Sequence, residues 1–479
     1  GGDMFALYYA ADTKKVTALN GSGRAPAALT LDRLKREGFS TELPPFHAHT
    51  VTVPGACAGW FDLIERHGSL SMEEILAPAI RLAQDGFPVG PITANSWAFG
   101  VQRQLMSSPN GRELTLDGRA PRAGEIFRNP SLARTLETIG REGRSAFYQG
   151  RIAEAIVKVI QEAGGSLSLE DLATHTSTWE EPISVNYRGL RVYECPPNGQ
   201  GLTALLALNL LEGFDLSALA PLSSERLHLM IEALRLAFAD TRWYVADPLF
   251  SNVPVRELLS KDYARERRKW IDRKRATIDP ARGTPVSSSG TVYLSVVDGS
   301  GNACSFINSN YWGFGTGIVP KGFGFTLQNR GHNFSLDPNH PNALEPRKRP
   351  YHTIIPAMVT RRDGSLYASY GVMGGFMQPQ GHVQVLSALM DHGLDPQSAL
   401  DLPRFCIDVE ESGGRVALEE GIPGQVFEDL QHMGHPIYPV SGFDRSLFGR
   451  GQVILRDADS GVLCAGSDPR ADGCAMTLG

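Results

Sequence analysis

A β-hairpin is predicted by residues 291–309, TVYLSVVDGSGNACSFINS. The first half is rich in Val and Leu, and DGSGN has the residues that are typical of a tight turn. A hairpin centred on Ser300 pairs residues that are equally distant from it, so Thr291 lies opposite Ser309. Directly opposed residues of an antiparallel pair have Cβ atoms within roughly 4.5–5.5 Å. The pattern therefore predicts two neighbouring hydroxyl groups at one end of the hairpin, unless the register slips.

An exposed linker is predicted just before this hairpin, at residues 276–290, ATIDPARGTPVSSSG. It ends at Gly290, which has no Cβ and lets a hydroxyl approach its carbonyl closely. Attack by the Thr291 hydroxyl on that carbonyl would release an α-amine, whose ordinary pKa is about 7.7–8.0. The neutral fraction of this amine can act as a base toward the hydroxyl of the same residue. The alternative is that Thr291 is an ordinary strand residue and Ser309 lies on a sheet edge.

A second candidate element is YGVMGGFM at residues 370–377, where a strand meets Gly374 and Gly375. A helix is predicted soon after, around Gly381–His392. Adjacent glycines at such a junction can direct backbone N–H groups toward a developing oxyanion. The alternative is a plain turn between a strand and a helix.

The order of elements along the chain predicts an α/β protein. Short β-like runs and turns fill the first 60 residues or so, and residues 60–275 are mainly helical. Within that section we expect an amphipathic helix over Leu227–Ala246 and a polar helix over Asp262–Arg275. Strands return from Thr291 onward.

Composition excludes several classes of function. The chain has 479 residues, a formal net charge of −6 and 20% charged residues, which argues against nucleic acid as the main partner. Its six cysteines form no C-x-x-C motif, and His47 and His49 have no third ligand nearby, so no metal site is predicted. No apolar run is long enough for a membrane span. The chain begins with Gly1 rather than Met, so we expect residues to precede it.

These residues resemble the γ-glutamyltransferase (glutathione hydrolase) family over the whole chain. Each similar segment is a weak signal alone, but their order and spacing are specific. The segments are GGDMFALYY at the start, VPGACAG (53–59), EEPISVNYRGLRVYECPPNGQG (180–201), TVYLSVVDGSGNA (291–303), GFGTGIVP (313–320) and SDPR (467–470).

The resemblance implies a four-layer αββα sandwich of the N-terminal-nucleophile hydrolase type. It also implies autocatalytic cleavage between Gly290 and Thr291, which gives a large chain of residues 1–290 and a small catalytic chain of residues 291–479. Thr291 would then be the nucleophile toward a small-molecule amide, and its α-amine the base. No cofactor is implied.

Three further roles follow from the same resemblance. Ser309 corresponds to the threonine that orients the nucleophile in the family. Gly374 and Gly375 correspond to the paired glycines that hold the oxyanion. The partners implied are therefore the amide substrate and the two chains of one precursor.

The residues that bind the glutamyl group in the family are largely replaced in this chain. The arginine for the α-carboxylate falls near Ser22, although Arg24 is two residues away, and the aspartate for the α-amine falls at Asn333. The remaining replacements are His352 and Thr353 for the paired serines, Tyr311 for an asparagine, and Arg330 for a neutral or acidic residue.

We therefore expect a pocket that favours an acyl group with a carboxylate and no amine, with Arg330 as the anchor and Arg24 as a second cation. The reaction class implied by the resemblance is cleavage of a γ-glutamyl-type amide through an acyl-threonine intermediate. The alternative that such a pocket favours is another carboxylate-bearing amide, glutaryl or oxamate-like, as in the acylase-like branch of the family. An alternative of another class is an uncleaved scaffold without catalytic activity.

Overall fold

The computed structural model describes residues 1–278, 290–408 and 414–477. The strands are β1 (Asp3–Ala10), β2 (Lys15–Gly21), β3 (Phe87–Pro88), β4 (Ile126–Phe127), β5 (Thr178–Glu180), β6 (Ile183–Tyr187), β7 (Leu190–Glu194), β8 (Gly290–Val297), β9 (Ala303–Tyr311), β10 (Ala357–Thr360), β11 (Leu366–Met373), β12 (Phe405–Ile407), β13 (Val416–Glu419), β14 (Ile437–Val440), β15 (Arg450–Arg456) and β16 (Leu463–Ser467). The helices are α1 (Leu31–Arg36), α2 (Ala56–His67), α3 (Met72–Asp85), α4 (Pro91–Gly100), α5 (Pro130–Glu142), α6 (Arg144–Tyr148), α7 (Arg151–Glu162), α8 (Leu169–Ala173), α9 (Gly201–Leu211), α10 (Ser224–Tyr244), α11 (Val255–Leu258), α12 (Lys261–Arg268), α13 (Met377–Asp391), α14 (Pro396–Asp401) and α15 (Gly424–His432).

Two larger sheets organise these strands. One has the order β5-β2-β1-β9-β8 and the other has the order β16-β15-β11-β10-β7-β6. Smaller sheets join β12, β13 and β14, and β3 with β4. None of the helices within the described ranges is both long and apolar enough to cross a membrane.

The chain folds as two compact units, each assembled from three separate stretches. The first unit contains Gly1–Phe5, Leu19–Trp179 and Asn308–His352, and the second contains Ala6–Ala18, Glu180–Ile307 and Thr353–Gly479. The predicted division at Gly290–Thr291 concerns covalent structure and stays a prediction. Residues 279–289 of the predicted linker lie outside the described residues.

The second unit is layered around the six-stranded sheet. Antiparallel pairing places Tyr370 of β11 beside Ala357 of β10 and Val453 of β15. Helices α9 and α13 pack on this sheet, and β8 also contacts it. The Ser295 hydroxyl of β8 donates to the Ser369 hydroxyl of β11 at 2.5 Å. This unit therefore contains a helix layer, a sheet and a strand of the second sheet.

The first unit holds most of the predicted helical section, and its core is formed mainly by α2, α3, α5, α6, α7 and α8. Helix α2 reaches the five-stranded sheet, where the Trp60 indole N–H donates to the Asn308 amide oxygen at 3.3 Å. Gly59 of the same helix faces the Met4 side chain, where a Cβ would collide with the Met4 sulfur. The absence of a side chain at Gly59 therefore allows the helix and the sheet to approach closely.

Two helix predictions need correction. The predicted amphipathic helix at 227–246 is α10, but its residues are buried on all sides from Arg226 to Thr241. Its polar residues are accommodated because they bond one another inside the protein, as Arg235 does with Glu232 at 3.1 Å. The predicted polar helix at 262–275 ends at Arg268. Its continuation is not helical and is mostly exposed, and the Asp272 carbonyl accepts a hydrogen bond from the His228 ring at 2.6 Å.

Buried histidines make the stability of this fold dependent on pH. Burial lowers the pKa of His175 and His352 to about 3 and that of His435 to about 2, from 6.5. The unfolded chain therefore binds more protons than the folded chain as pH falls below 6.5, and the free energy of unfolding decreases by up to about 1.4 kcal/mol per histidine and pH unit. Glu194 and His382 contribute little to this dependence, because the raised pKa of the acid and the lowered pKa of the histidine act in opposite directions.

We expect the melting temperature to fall steadily between about pH 7 and about pH 5. His175 offers a clean test, because neither ring nitrogen has a hydrogen-bond partner among the described residues and the ring stacks on Tyr148 at 5.5 Å. A His175→Phe variant should show a shallower decline with pH, whereas His432→Phe, at an exposed position on α15, should follow the parent. Parallel curves for His175→Phe and the parent would contradict this explanation.

Candidate active site

The predicted hairpin is present, since β8 and β9 are neighbours in the five-stranded sheet. The Asp298 backbone N–H donates to the Asn302 carbonyl at 2.9 Å, so the register centred on Ser300 is confirmed at the turn. The Asp298 carboxylate fixes this turn by accepting the backbone N–H groups of Ser300 and Asn302, both at 2.9 Å. Thr291 is buried near the start of β8. Its direct opposition to Ser309 stays a prediction.

The Ser309 hydroxyl is held in one orientation by two donors. Its oxygen accepts the Tyr311 backbone N–H at 2.8 Å and an Arg330 guanidinium N–H at 3.0 Å. The first bond requires a sharp end to β9, because Tyr311 has φ of 76°. This left-handed conformation costs a non-glycine residue roughly 1–2 kcal/mol. A hydroxyl whose oxygen accepts two hydrogen bonds can still donate one through its own proton.

Arg330 directs its charge toward Ser309 and away from solvent. The side chain is fully buried, and its guanidinium lies 4.5 Å from the centre of the Tyr311 ring. Burial lowers its pKa to about 10, and nearby Asp3 opposes that effect, so Arg330 stays charged at neutral pH. The Arg330 side chain has no exposed surface, and its role as an anchor for a ligand stays a prediction. Its contact with Ser309 was not predicted.

Asp3 organises the surroundings of these residues. Its carboxylate accepts the backbone N–H groups of Gly23 and Gly55 and the Gln328 amide, each at 3.0 Å. The His352 ring nitrogen Nε2 lies 3.0 Å from the other oxygen, and burial keeps the pKa of this histidine at about 3. Neutral His352 therefore carries its proton on Nε2 and donates a hydrogen bond to the carboxylate. His352, which was predicted to face a ligand, also has this internal role.

Gly374 and Gly375 form the junction between β11 and α13, as predicted. Their φ values of 145° and 61° belong to glycine, and a Cβ on Gly374 would lie 3.1 Å from the Gly449 Cα. The carbonyls of Gly374 and Gly375 accept the N–H groups of Met377 at 3.0 Å and Gln378 at 3.2 Å. The junction thus joins directly to the first turn of α13, and its role as an oxyanion site stays a prediction.

Two other predicted ligand residues are fixed through their backbone carbonyls. The Thr353 carbonyl accepts a hydrogen bond from the Gln200 amide at 2.7 Å, and the Thr353 side chain is fully buried. The Asn333 carbonyl accepts the Asn342 amide at 2.6 Å, and Asn333 is half-buried. Direct contact of either side chain with a ligand stays a prediction.

Arg24 belongs to a different cluster from Arg330. It is half-buried, and its guanidinium donates to the Thr176 carbonyl at 3.2 Å. Arg349 donates to the same carbonyl at 3.4 Å and to the Ser22 carbonyl at 3.1 Å. Ser22 was predicted to stand at the position of the family arginine, so the structure brings the guanidinium of Arg349 close to that position. The sequence signal that could have identified Arg349 is the Lys-Arg-Pro tripeptide at residues 348–350.

One buried group of residues has the composition of a metal site. The side-chain atoms of His228, Glu232 and His435 lie within 4.8 Å of one another. However, Arg235 donates to His435 Nδ1 at 3.1 Å, so in neutral His435 the proton lies on Nε2 and points at His228 Nδ1, 2.7 Å away. His228 Nε2 then donates to the Asp272 carbonyl. The nitrogens that a metal would need are therefore already used in a chain of hydrogen bonds.

Comparisons with known proteins support the family resemblance seen in the sequence. A sequence model of the family described as Gamma-glutamyltranspeptidase matches residues 1–478. The Glutathione hydrolase-like YwrD proenzyme of Bacillus subtilis (strain 168) is 38% identical over 483 residues, covering 100% of this chain and 90% of the relative. The Oxamate amidohydrolase proenzyme of Klebsiella pneumoniae is 30% identical, covering 99% of this chain and 89% of the relative.

The crystal structure of a cephalosporin acylase from Bacillus halodurans is similar at a TM-score of 0.91 and 45% identity, covering 100% of this chain and 88% of that one. This match confirms the predicted sandwich of the N-terminal-nucleophile hydrolase type. The named relatives are hydrolases and acylases, so the alternative of a scaffold without catalytic activity is not supported. The chain belongs to the γ-glutamyltranspeptidase family and is an amidohydrolase of the N-terminal-nucleophile type.

Proposed function

We propose that this protein cleaves itself between Gly290 and Thr291 and then uses the Thr291 hydroxyl to hydrolyse a carboxylate-bearing amide. One observation carries the proposal: the Ser309 hydroxyl oxygen accepts hydrogen bonds from a backbone N–H and from a buried guanidinium, which fix it in position. The proposal takes the register seen at the turn to continue along the hairpin, which would put Ser309 opposite Thr291. A fixed donor orients a neighbouring nucleophile without needing a histidine.

The self-cleavage step balances within the chain itself. The Thr291 hydroxyl oxygen bonds to the Gly290 carbonyl carbon and the peptide C–N bond breaks. The nitrogen takes up the proton that the hydroxyl loses and becomes an amine. The product is an ester between Gly290 and the Thr291 side chain. Water then hydrolyses this ester, which leaves a carboxylate on Gly290 and an α-amine on Thr291.

Turnover repeats the same chemistry on a substrate amide. The Thr291 amine takes the proton of its own hydroxyl, and the hydroxyl oxygen attacks the substrate carbonyl. Backbone N–H groups at Gly374 and Gly375 stabilise the negative oxygen that develops. The C–N bond breaks, the departing nitrogen takes the proton, and water hydrolyses the resulting acyl ester. An amine in place of water would give acyl transfer.

The first prediction from this proposal concerns maturation. Purified protein should give two bands on a denaturing gel, and the smaller should have Thr291 at its N-terminus. Thr291→Ala should give one uncut band, because no hydroxyl is present to attack Gly290. A different new N-terminus, or activity in protein that remains uncut, would contradict the proposed mechanism.

The second prediction concerns the bond between Ser309 and Arg330. Ser309→Ala should slow both self-cleavage and amide hydrolysis by about 10²-fold, since one positioned hydrogen bond is lost. Arg330→Met should slow both steps as well, and the double variant should lose no more than Ser309→Ala alone because Arg330 acts through Ser309. Ser305→Ala, which changes a buried serine on the same face of β9, is the matched control. Additive losses in the double variant would show that Arg330 acts independently.

The substrate follows from the charges around the proposed pocket. A γ-glutamyl group has a carboxylate and an ammonium, and Asn333 provides no negative charge for the ammonium. The half-buried guanidinium of Arg24 is suited to pair with a carboxylate in two hydrogen bonds, and Arg349 adds charge beside it. These charges favour an acyl group with a carboxylate and no amine. Relatives are named glutathione hydrolase, oxamate amidohydrolase and cephalosporin acylase, which fits a family whose members accept different acyl groups.

The third prediction tests this preference directly. Glutaryl-anilide should be hydrolysed with a higher kcat/KM than γ-glutamyl-anilide, because the latter buries an ammonium without an anion. Arg24→Met should lower kcat/KM for glutaryl-anilide by about 10-fold or more, mainly through KM, while Arg36→Met, on the exposed face of α1, should not. A clear preference for γ-glutamyl-anilide that survives Arg24→Met would indicate an ordinary glutathione-cleaving enzyme.

A further inference from the structure

The Gln200 side chain is a buried amide that bridges two segments of the proposed active site. Gln200 directly precedes α9 and is fully buried. Its amide nitrogen donates to the Thr353 carbonyl at 2.7 Å and to the Gly375 carbonyl at 2.8 Å. Both amide hydrogens are used, so the nitrogen fixes the separation and the orientation of the two carbonyls.

A second buried glutamine ties the same two segments together. The Gln378 amide oxygen on α13 accepts the Ile355 backbone N–H at 2.9 Å. The segment from Thr353 to Ile355 is therefore bonded at one end through Gln200 and at the other directly to α13. Of these two amides, Gln200 is the one that contacts the glycine pair itself, at Gly375.

A turn that consists of two glycines depends strongly on hydrogen bonds from outside the turn to fix its conformation. Gly374 and Gly375 have wide backbone freedom, and neither has a side chain that could anchor the turn. Their carbonyls bond locally to Met377 and Gln378, which fixes the turn to α13. Gln200 adds a bond from a part of the chain that is 175 residues away in sequence. This bond anchors the peptide group that follows Gly375, and so holds the C-terminal end of the two-glycine turn in place.

We infer that Gln200 is a positioning residue that holds the Gly374–Gly375 turn in the orientation needed to bind the oxyanion. This inference rests on the proposed function, in which these glycines stabilise the developing negative charge. Gln200 itself touches neither the substrate nor the nucleophile in this role. Its contribution is to keep backbone donors aimed before the reaction, which is the condition under which such donors are effective.

Replacing the amide should affect the rate more than substrate binding. In Gln200→Met the side chain keeps a similar length, but both donated hydrogen bonds are lost. The oxyanion forms only in the transition state, so kcat should fall by about 10- to 100-fold while KM changes less than about threefold. Gln384→Met is the matched control, because buried Gln384 also donates to two carbonyls, of Gln380 and Phe405, away from the turn.

The measurement uses full-length protein after self-cleavage, with glutaryl-anilide or γ-glutamyl-anilide, whichever the parent hydrolyses faster. Rates are expressed per cleaved chain, and melting temperatures identify variants that have lost their fold. If Gln200→Met does not fold, Gln200→Glu takes its place. A protonated glutamate donates one hydrogen bond and an ionised one donates none, so the activity of this variant relative to the parent should rise as pH falls.

Two results would overturn the inference. One is a parent-like kcat in folded Gln200→Met, or in Gln200→Glu a pH profile that is parallel to that of the parent. The other is an equal loss of kcat in Gln384→Met, which would show a general effect of buried amides. Failure of the proposed function is distinguished separately, because it would appear as an active Thr291→Ala variant whatever Gln200→Met shows.

Discussion

The fully buried carboxylate of Asp3 is the constraint on which much of the first unit depends. A buried charge is tolerated only when its oxygens are hydrogen-bonded, and Asp3 meets that need with donors from distant segments. Gly23, Gly55, Gln328 and His352 are drawn to one point by this single side chain. Gly23 and Gly55 have no side chain, so their backbone N–H groups can approach the Asp3 carboxylate closely. This gives a physical reason for Asp3 in GGDMFALYY and for Gly55 in VPGACAG.

Compensating interactions also explain how the charge of Arg330 can be buried. A lone guanidinium in the interior would be strongly unfavourable, but Asp3 contributes an opposing field and the Tyr311 ring lies against the cation. The left-handed backbone at Tyr311 adds a local cost of roughly 1–2 kcal/mol. Both features converge on the Ser309 hydroxyl. Strained backbone and buried charge at one hydroxyl group are typical of a functional site and are unusual in a plain strand.

Sequence predicted the features that depend on local chemistry. The turn from Asp298 to Asn302 and the junction at Gly374 and Gly375 follow from short-range rules, and both are present. The direction of Arg330 could not be predicted, because it depends on Asp3, more than 300 residues away. Gln200 was missed for the same reason, since its partners are contributed by two other segments. The extent of the helix before the linker was also wrong, because a tertiary bond to the Asp272 carbonyl ended it.

In the proposed mechanism one hydroxyl performs two reactions under different conditions. Before cleavage the Thr291 nitrogen is part of a peptide bond and cannot act as a base; afterwards it is an amine and can. A group that assists the hydroxyl in both states must therefore lie outside Thr291. Ser309 meets this requirement, because its orientation is fixed by Tyr311 and Arg330 and does not depend on whether the peptide is cut. Arg330 is a buried donor that stays charged, so it fixes Ser309 at every pH of interest. A histidine would do so less well, because its charge would vary with pH.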